Sequence, residues 1–155
     1  MGKRKPDKRN AVRGDAGSMG FLIDTCIWID VERGYISPSD VALFTKNEPV
    51  YISPVILAEL SFGAEIADNE RIRQKRMAAI NRIRKKPFII IDEMTGEIFG
   101  RLAASLRRNG IDHKYRVQDL WIASQAIQNG LKLLTRNKKD FIDIPGLDLV
   151  IFSGK

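Results

Sequence analysis

Four acidic residues carry the chemical interest of this chain. Asp24 closes FLID, Glu59 lies in SPVILAEL, Asp119 opens the pattern DLWIASQA, and Asp140 falls in TRNKKDF. They are 35, 60 and 21 residues apart in turn, yet each falls where a strand ends or a helix is under way. Carboxylates gathered at one edge of a sheet repel one another, which raises some of their pKa values. A hard divalent cation with oxygen ligands relieves that repulsion. Mg2+ needs one or two direct carboxylates and keeps its remaining shell for water and phosphate. Such a site polarises a phosphoryl oxygen or activates a water nucleophile, so phosphodiester hydrolysis is the chemistry to expect.

Each acid also has an ordinary explanation. Asp24 is well placed to cap the helix that follows it. Glu59 sits among Ile56, Leu57, Ala58 and Leu60, where a carboxylate is costly unless compensated, but a solvent-facing helix position is equally compatible. Asp119 in a first helical turn suits the helix dipole. Asp140 and Asn137 read as plain loop residues. The case for a site rests on all four reaching one edge together. Neighbouring cations support it: Arg116 precedes Asp119, and Arg136, Lys138 and Lys139 precede Asp140, where they could hold substrate phosphates. Cys26 has no partner base in view and reads as a core thiol. His113, the one histidine, reads as a surface residue.

The elements that must position these residues alternate. FLID (21–24), VYIS (50–53), FIIID (88–92), LKLLT (131–135) and LDLVIF (147–152) have the character of strands. Helical spacing covers 25–34, 37–47, 54–67, 69–86, 93–109 and 117–128. Residues 111–116 read as a polar loop. Serine before proline at 37–38 and at 53–54 marks two helix starts. Strands alternating with helices of this length predict an α/β fold, with a parallel sheet of about five strands covered by helices on both faces.

Length and composition agree. A chain of 155 residues, 44% hydrophobic and 29% charged, is one soluble domain by these measures. One cysteine and one histidine exclude an internal disulfide and leave too few ligands for a structural zinc site. No apolar run suggests a membrane span, and a cytoplasmic location is expected. The net charge is +7. Residues 1–20 contribute +4 of it, with six Lys/Arg against two acids. They read as a disordered basic leader before a domain at 21–155, and Met19 is a candidate true start. Positive charge favours polyanionic partners such as RNA.

Four segments together, LIDTCIWID, SPVILAELSFGA, VQDLWIASQAIQNGLKLLTRNKKDF and IPGLDLVIF, resemble the PIN-domain ribonucleases. Within that superfamily they resemble the VapC toxins of toxin–antitoxin pairs. The resemblance spans about residues 21–152. It implies a PIN-like fold and a Mg2+- or Mn2+-dependent endoribonuclease acting on tRNA or rRNA. It also implies a VapB-type antitoxin, which would lay a helix in an apolar groove, and a homodimer. By position, Asp24, Glu59 and Asp119 match the family's three acids. Asn137 occupies the place of a common fourth acid, with Asp140 as the nearby alternative. The resemblance then gives Asp140 an outer or water-mediated metal role, Asn137 a bond to a ligand or the scissile phosphate, and Thr135 an orienting role. The lead-in Arg116–Gln118 departs from the small or glycine-rich one usual in the family. A non-catalytic RNA-binding domain with a degenerate site is the competing expectation. A phosphatase or a phosphorelay receiver fits poorly, because Cys26 stands where the former needs a second acid.

Overall fold

The computed structural model describes residues 20–154; the leader expected at 1–20 lies, but for Gly20, outside the described residues. Four short strands form one parallel sheet: β1 (Phe21–Ile23), β2 (Val50–Tyr51), β3 (Lys132–Thr135) and β4 (Asp148–Ile151). Their spatial order is β2-β1-β3-β4. The register pairs Leu22 with both Tyr51 and Leu133. Helices α1 (Thr25–Glu32) and α2 (Pro38–Thr45) join β1 to β2. The link from β2 to β3 holds α3 (Pro54–Glu65), α4 (Glu70–Ile83), α5 (Glu93–Arg108), a 3-10 turn (His113–Arg116) and α6 (Val117–Gln128). One turn of helix, α7 (Lys138–Phe141), lies between β3 and β4.

Strand periodicity divides the core. Leu22 and Leu133 point to one face, against Ile56, Leu102, Leu106 and Leu120. Phe21, Ile23 and Leu134 point to the other, against Ile27, Ile36 and Phe152. Successive side chains on a strand alternate between faces, so β1, covered on both, is apolar and buried throughout. Several helix starts are made by local hydrogen bonds. The Ser37 hydroxyl accepts from the Asp40 amide (3.1 Å), and Asp40 accepts in return from the Ser37 amide (3.0 Å). The Ser53 hydroxyl accepts from the Val55 amide (3.1 Å), satisfying donors that a helix leaves free. Among the described residues, no helix is long and apolar enough to cross a membrane.

The α/β architecture agrees with the expectation, but one expected strand does not form. FIIID contributes a single isolated bridge, Ile52 to Phe88. Ile89 is buried, while Ile90 and Ile91 are 54% and 42% exposed. The Ile52 amide donates to the Pro87 carbonyl (2.9 Å) and the Ile89 amide to the Ile52 carbonyl (3.0 Å), but the next donor position on that side is Pro54, which has no N–H and opens α3. Gln125 Nε2 donates instead to the carbonyls of Ile89 (3.2 Å) and Ile90 (3.3 Å). Asp92, the last residue of that segment, instead caps α5 by accepting from the Thr95 amide (3.1 Å). The loop expected at 111–116 ends as the 3-10 turn, and α7 was not foreseen.

Candidate active site

The site is built where the strand order reverses. The chain leaves β1 to one side for β2 and returns on the other side as β3, which opens a crevice beyond the carboxyl ends of β1 and β3. Asp24 follows β1 and is 5% exposed. Its Oδ1 accepts from the Thr25 amide (2.8 Å). Its Oδ2 accepts from the hydroxyl of Thr135, the last residue of β3, at 2.7 Å. The Thr135 oxygen in turn accepts from the Asn137 amide (3.0 Å). Helix capping and site formation are therefore one arrangement at Asp24, and neither expectation excludes the other.

Glu59 comes from α3 and Asp119 from the first turn of α6. Burial raises the Glu59 carboxyl above its ordinary value. The Thr25 hydroxyl pulls the other way, although it falls short of good hydrogen-bond geometry, and Asp24 adds to the rise. The Asp119 pKa is pushed up to about 6, first by burial and then by the charges of Asp24, Asp140 and Glu59; Arg116 opposes them. Four acids from four parts of the chain thus share one electrostatic neighbourhood. They do not form a closed cage: among the described residues, no three Asp, Glu, His or Cys side chains converge as metal ligands.

The donor set still fits a hard divalent cation. It offers oxygen, it is partly desolvated, and its members repel, which disfavours keeping all of them ionised without a counter-charge. Incomplete convergence is compatible with an ion that binds few carboxylates directly and fills its shell with water.

The basic residues divide. The Arg116 guanidinium makes a two-pronged pair with Asp143 (2.7 and 2.8 Å) and also donates to the Asp140 carbonyl, while its Nε–H has no partner among the described residues. Arg136 pairs with Asp30 of α1 (2.6 Å), a charge contact without hydrogen-bond geometry, and its side chain stays half-exposed. Lys138 and Asn137 are exposed beside the acids. The Asn137 side chain makes no capping bond to α7. Cys26 lies 3.4 Å from Asp24 Oδ2. Burial, then Asp24, raises its pKa to about 11, so the thiol is neutral at physiological pH and unsuited to nucleophilic attack. Sequence reading missed Asp30, Asp143 and Gln125, which act through long-range pairing that spacing does not show.

A groove of about 300 Å³ runs beside Glu59, floored by Trp28, Leu60, Ile80 and Ile83 and edged by Glu32 and Arg76. The PIN domain family profile matches residues 21–147.

The chain belongs to the PIN domain family.

This PIN domain is 36% identical over 139 residues to Ribonuclease VapC1 of Rickettsia felis, covering 88% of this chain and 99% of that protein. It is 33% identical to Ribonuclease VapC of Rickettsia bellii, over 85% of this chain and 96% of the other. Among solved structures, VapBC2 from Rickettsia felis bound to a DNA fragment from their promoter superposes with a TM-score of 0.75 at 25% identity, covering 87% of this chain and all of that one. The parallel sheet flanked by helices is that of these VapC structures, with four strands in place of the five expected.

Proposed function

We propose that this PIN domain is a Mg2+- or Mn2+-dependent endoribonuclease, the toxin of a type II toxin–antitoxin pair acting on tRNA or rRNA in the cytoplasm. The observation that carries the reading is the shared neighbourhood of Asp24, Glu59, Asp119 and Asp140, seen in the raised Asp119 pKa. Asp24, Glu59 and Asp119 would hold the ion, with Asp140 acting through water. When bound, the cation supplies Lewis-acid stabilisation of charge on the phosphoryl oxygens.

The chain's own residues do the rest. Thr135 and the Thr25 amide fix both oxygens of Asp24, so that carboxylate reaches substrate already oriented. Asn137, Lys138 and Arg136 line the approach from the β3 end and suit contacts to phosphate. The groove beside Glu59 suits the apolar face of an antitoxin helix, and its position lets such a partner reach Glu59 and block the acids. A structural neighbour, VapBC-5 from Mycobacterium tuberculosis, is a member of the VapBC family of toxin–antitoxin systems, which supports a VapB-type partner. A homodimer is part of the same reading.

The test is cleavage of a structured RNA by purified protein. We expect cutting in Mg2+ or Mn2+ and none in EDTA or with Asp119→Asn. Cutting that survives chelation overturns the metal-dependent mechanism. Salt-sensitive binding without cutting in any metal favours the non-catalytic domain instead.

A further inference from the structure

The 3-10 turn His113–Arg116 has no part in the reaction as described, yet it leads directly into the helix that carries Asp119. Its conformation is held from both ends. Asp112 accepts from the Lys114 amide (3.0 Å), and Arg116 ties the turn to Asp143, just past α7. On this fixed turn Tyr115 is 90% exposed, the most exposed large apolar side chain among the described residues. Val117 and Ile142, which flank the Arg116–Asp143 pair in sequence, are also exposed. Lys114 stands on the same turn, and Lys138 and Lys139 are exposed on α7.

Leaving a tyrosine ring in water forgoes the gain of burying it, and holding its backbone rigid adds no visible packing in return. An exposed ring next to Lys114, on a turn that Arg116 ties to α7 with its exposed Lys138 and Lys139, and four residues before Asp119, suits unpaired nucleotides. Bases stack on such faces with little regard to sequence, and lysines track the backbone between them. A ring with two torsions also loses little entropy when it is covered. The groove beside Glu59 has the apolar floor that a protein helix needs, whereas this face offers one exposed ring with Lys114, Lys138 and Lys139, in no ion pair among the described residues, beside Val117, Ile142 and the acids Asp112 and Asp143.

We propose that Tyr115 is a stacking platform for an unpaired base of the RNA next to the scissile phosphodiester, with Lys114 and the α7 lysines on the adjoining phosphates. The inference rests on the ribonuclease reading and adds a substrate requirement: the cleaved strand must be single-stranded, in a loop or at an end.

Binding separates the two claims. The full chain carrying Asp119→Asn, kept in EDTA so that nothing is cut, is titrated into a labelled single-stranded oligoribonucleotide and followed by anisotropy. Tyr115→Ala should weaken binding roughly tenfold, and Tyr115→Trp should restore it. Melting temperatures should stay level across the series, since the ring packs against nothing. Equal affinity for Tyr115→Ala, or no rescue by tryptophan, overturns the platform even if the parent chain cuts RNA. A Tyr115→Ala chain that keeps RNA but loses a helical antitoxin peptide also overturns it and reassigns the turn to protein contact. Absence of both binding and cutting by the parent chain removes the ribonuclease reading, and this inference with it.

Discussion

Asp24 shows how one residue serves structure and chemistry together. Its two oxygens face different donors, the Thr25 amide and the Thr135 hydroxyl. Asp24→Asn is therefore a poor probe of charge alone, because one oxygen would become a donor facing the Thr135 hydroxyl. Thr135→Val is cleaner: shape is kept and the hydroxyl is lost. It leaves Asp24 Oδ2 short of its best donor and orphans the Asn137 amide. We expect a loss of about 1–3 kcal/mol in urea denaturation and a fall in RNA cleavage of roughly 10–100-fold. Full activity in that variant would mean that Asp24 orients itself. Asp119 gives the pH prediction. In the folded apo protein its pKa is about 6, against an ordinary 3.8. Between those values the native state holds a proton that the unfolded chain has released. Stability without metal therefore falls as pH rises through this window, and the loss is complete above it. Asp119→Asn should reduce the slope, leaving the part that the raised Glu59 contributes, and stabilise the apo protein at pH 7.5 by on the order of 1–2 kcal/mol, after discounting for partial exposure. Melting in EDTA from pH 4 to 7.5 measures it, and a slope of the opposite sign would be decisive against it.

Between elements, the joint that matters is Arg116. It fastens the turn before α6 to the segment after α7, and so fixes Asp140 relative to Asp119. Its side chain is 14% exposed and that of Asp143 30%. Asp143 keeps access to water, so removing its partner lets the carboxylate rehydrate rather than leaving it buried and unmatched. Arg116→Ala should cost about 1–2 kcal/mol in denaturation and speed hydrogen exchange at 138–144. Arg116→Lys should recover little, since an ammonium cannot make the two-pronged contact. Unchanged exchange in the alanine variant would show that α7 is held by Phe141 and the core alone. Gln125 plays a comparable part at 88–91. Its amide holds the carbonyls of Ile89 and Ile90 past the point where pairing with Ile52 stops.

At the scale of the whole molecule, convergence of the acids is the claim to measure. A ligand that binds only the native state stabilises it by mass action, by about 2.7 kcal/mol at a hundredfold excess over its dissociation constant. Millimolar Mg2+ or Mn2+ should raise the melting temperature of the parent chain and not that of Asp119→Asn, while matched ionic strength from NaCl should do neither. Equal shifts in both chains would show screening, not a site.

Much of this was legible beforehand. The short apolar runs at 21–23 and 132–135, the serine–proline helix starts and the placement of the acids near strand ends follow from local physics: periodicity, capping and the cost of burying charge. Asp24, Glu59, Asp119 and Asp140 stand out in the sequence together, and the charges of the other three bear on Asp119. FIIID looked like a strand because apolarity reports burial, and apolarity alone cannot show where carbonyls find donors. Thirty-five residues separate Ile90 from Gln125, and no local rule links them. The same limit hid Asp143 from Arg116 and Asp30 from Arg136.

Sequence alone determined most of the helices and the four strands of the sheet, because propensity, capping and apolar pattern act over a few neighbours. Tertiary structure decided which charges meet. It joined Arg116 to Asp143, joined Thr135 to Asp24 across 111 residues, and raised Asp119. Those outcomes depend on distance and desolvation in three dimensions, and both come into being when the parallel sheet brings β1 and β3 side by side.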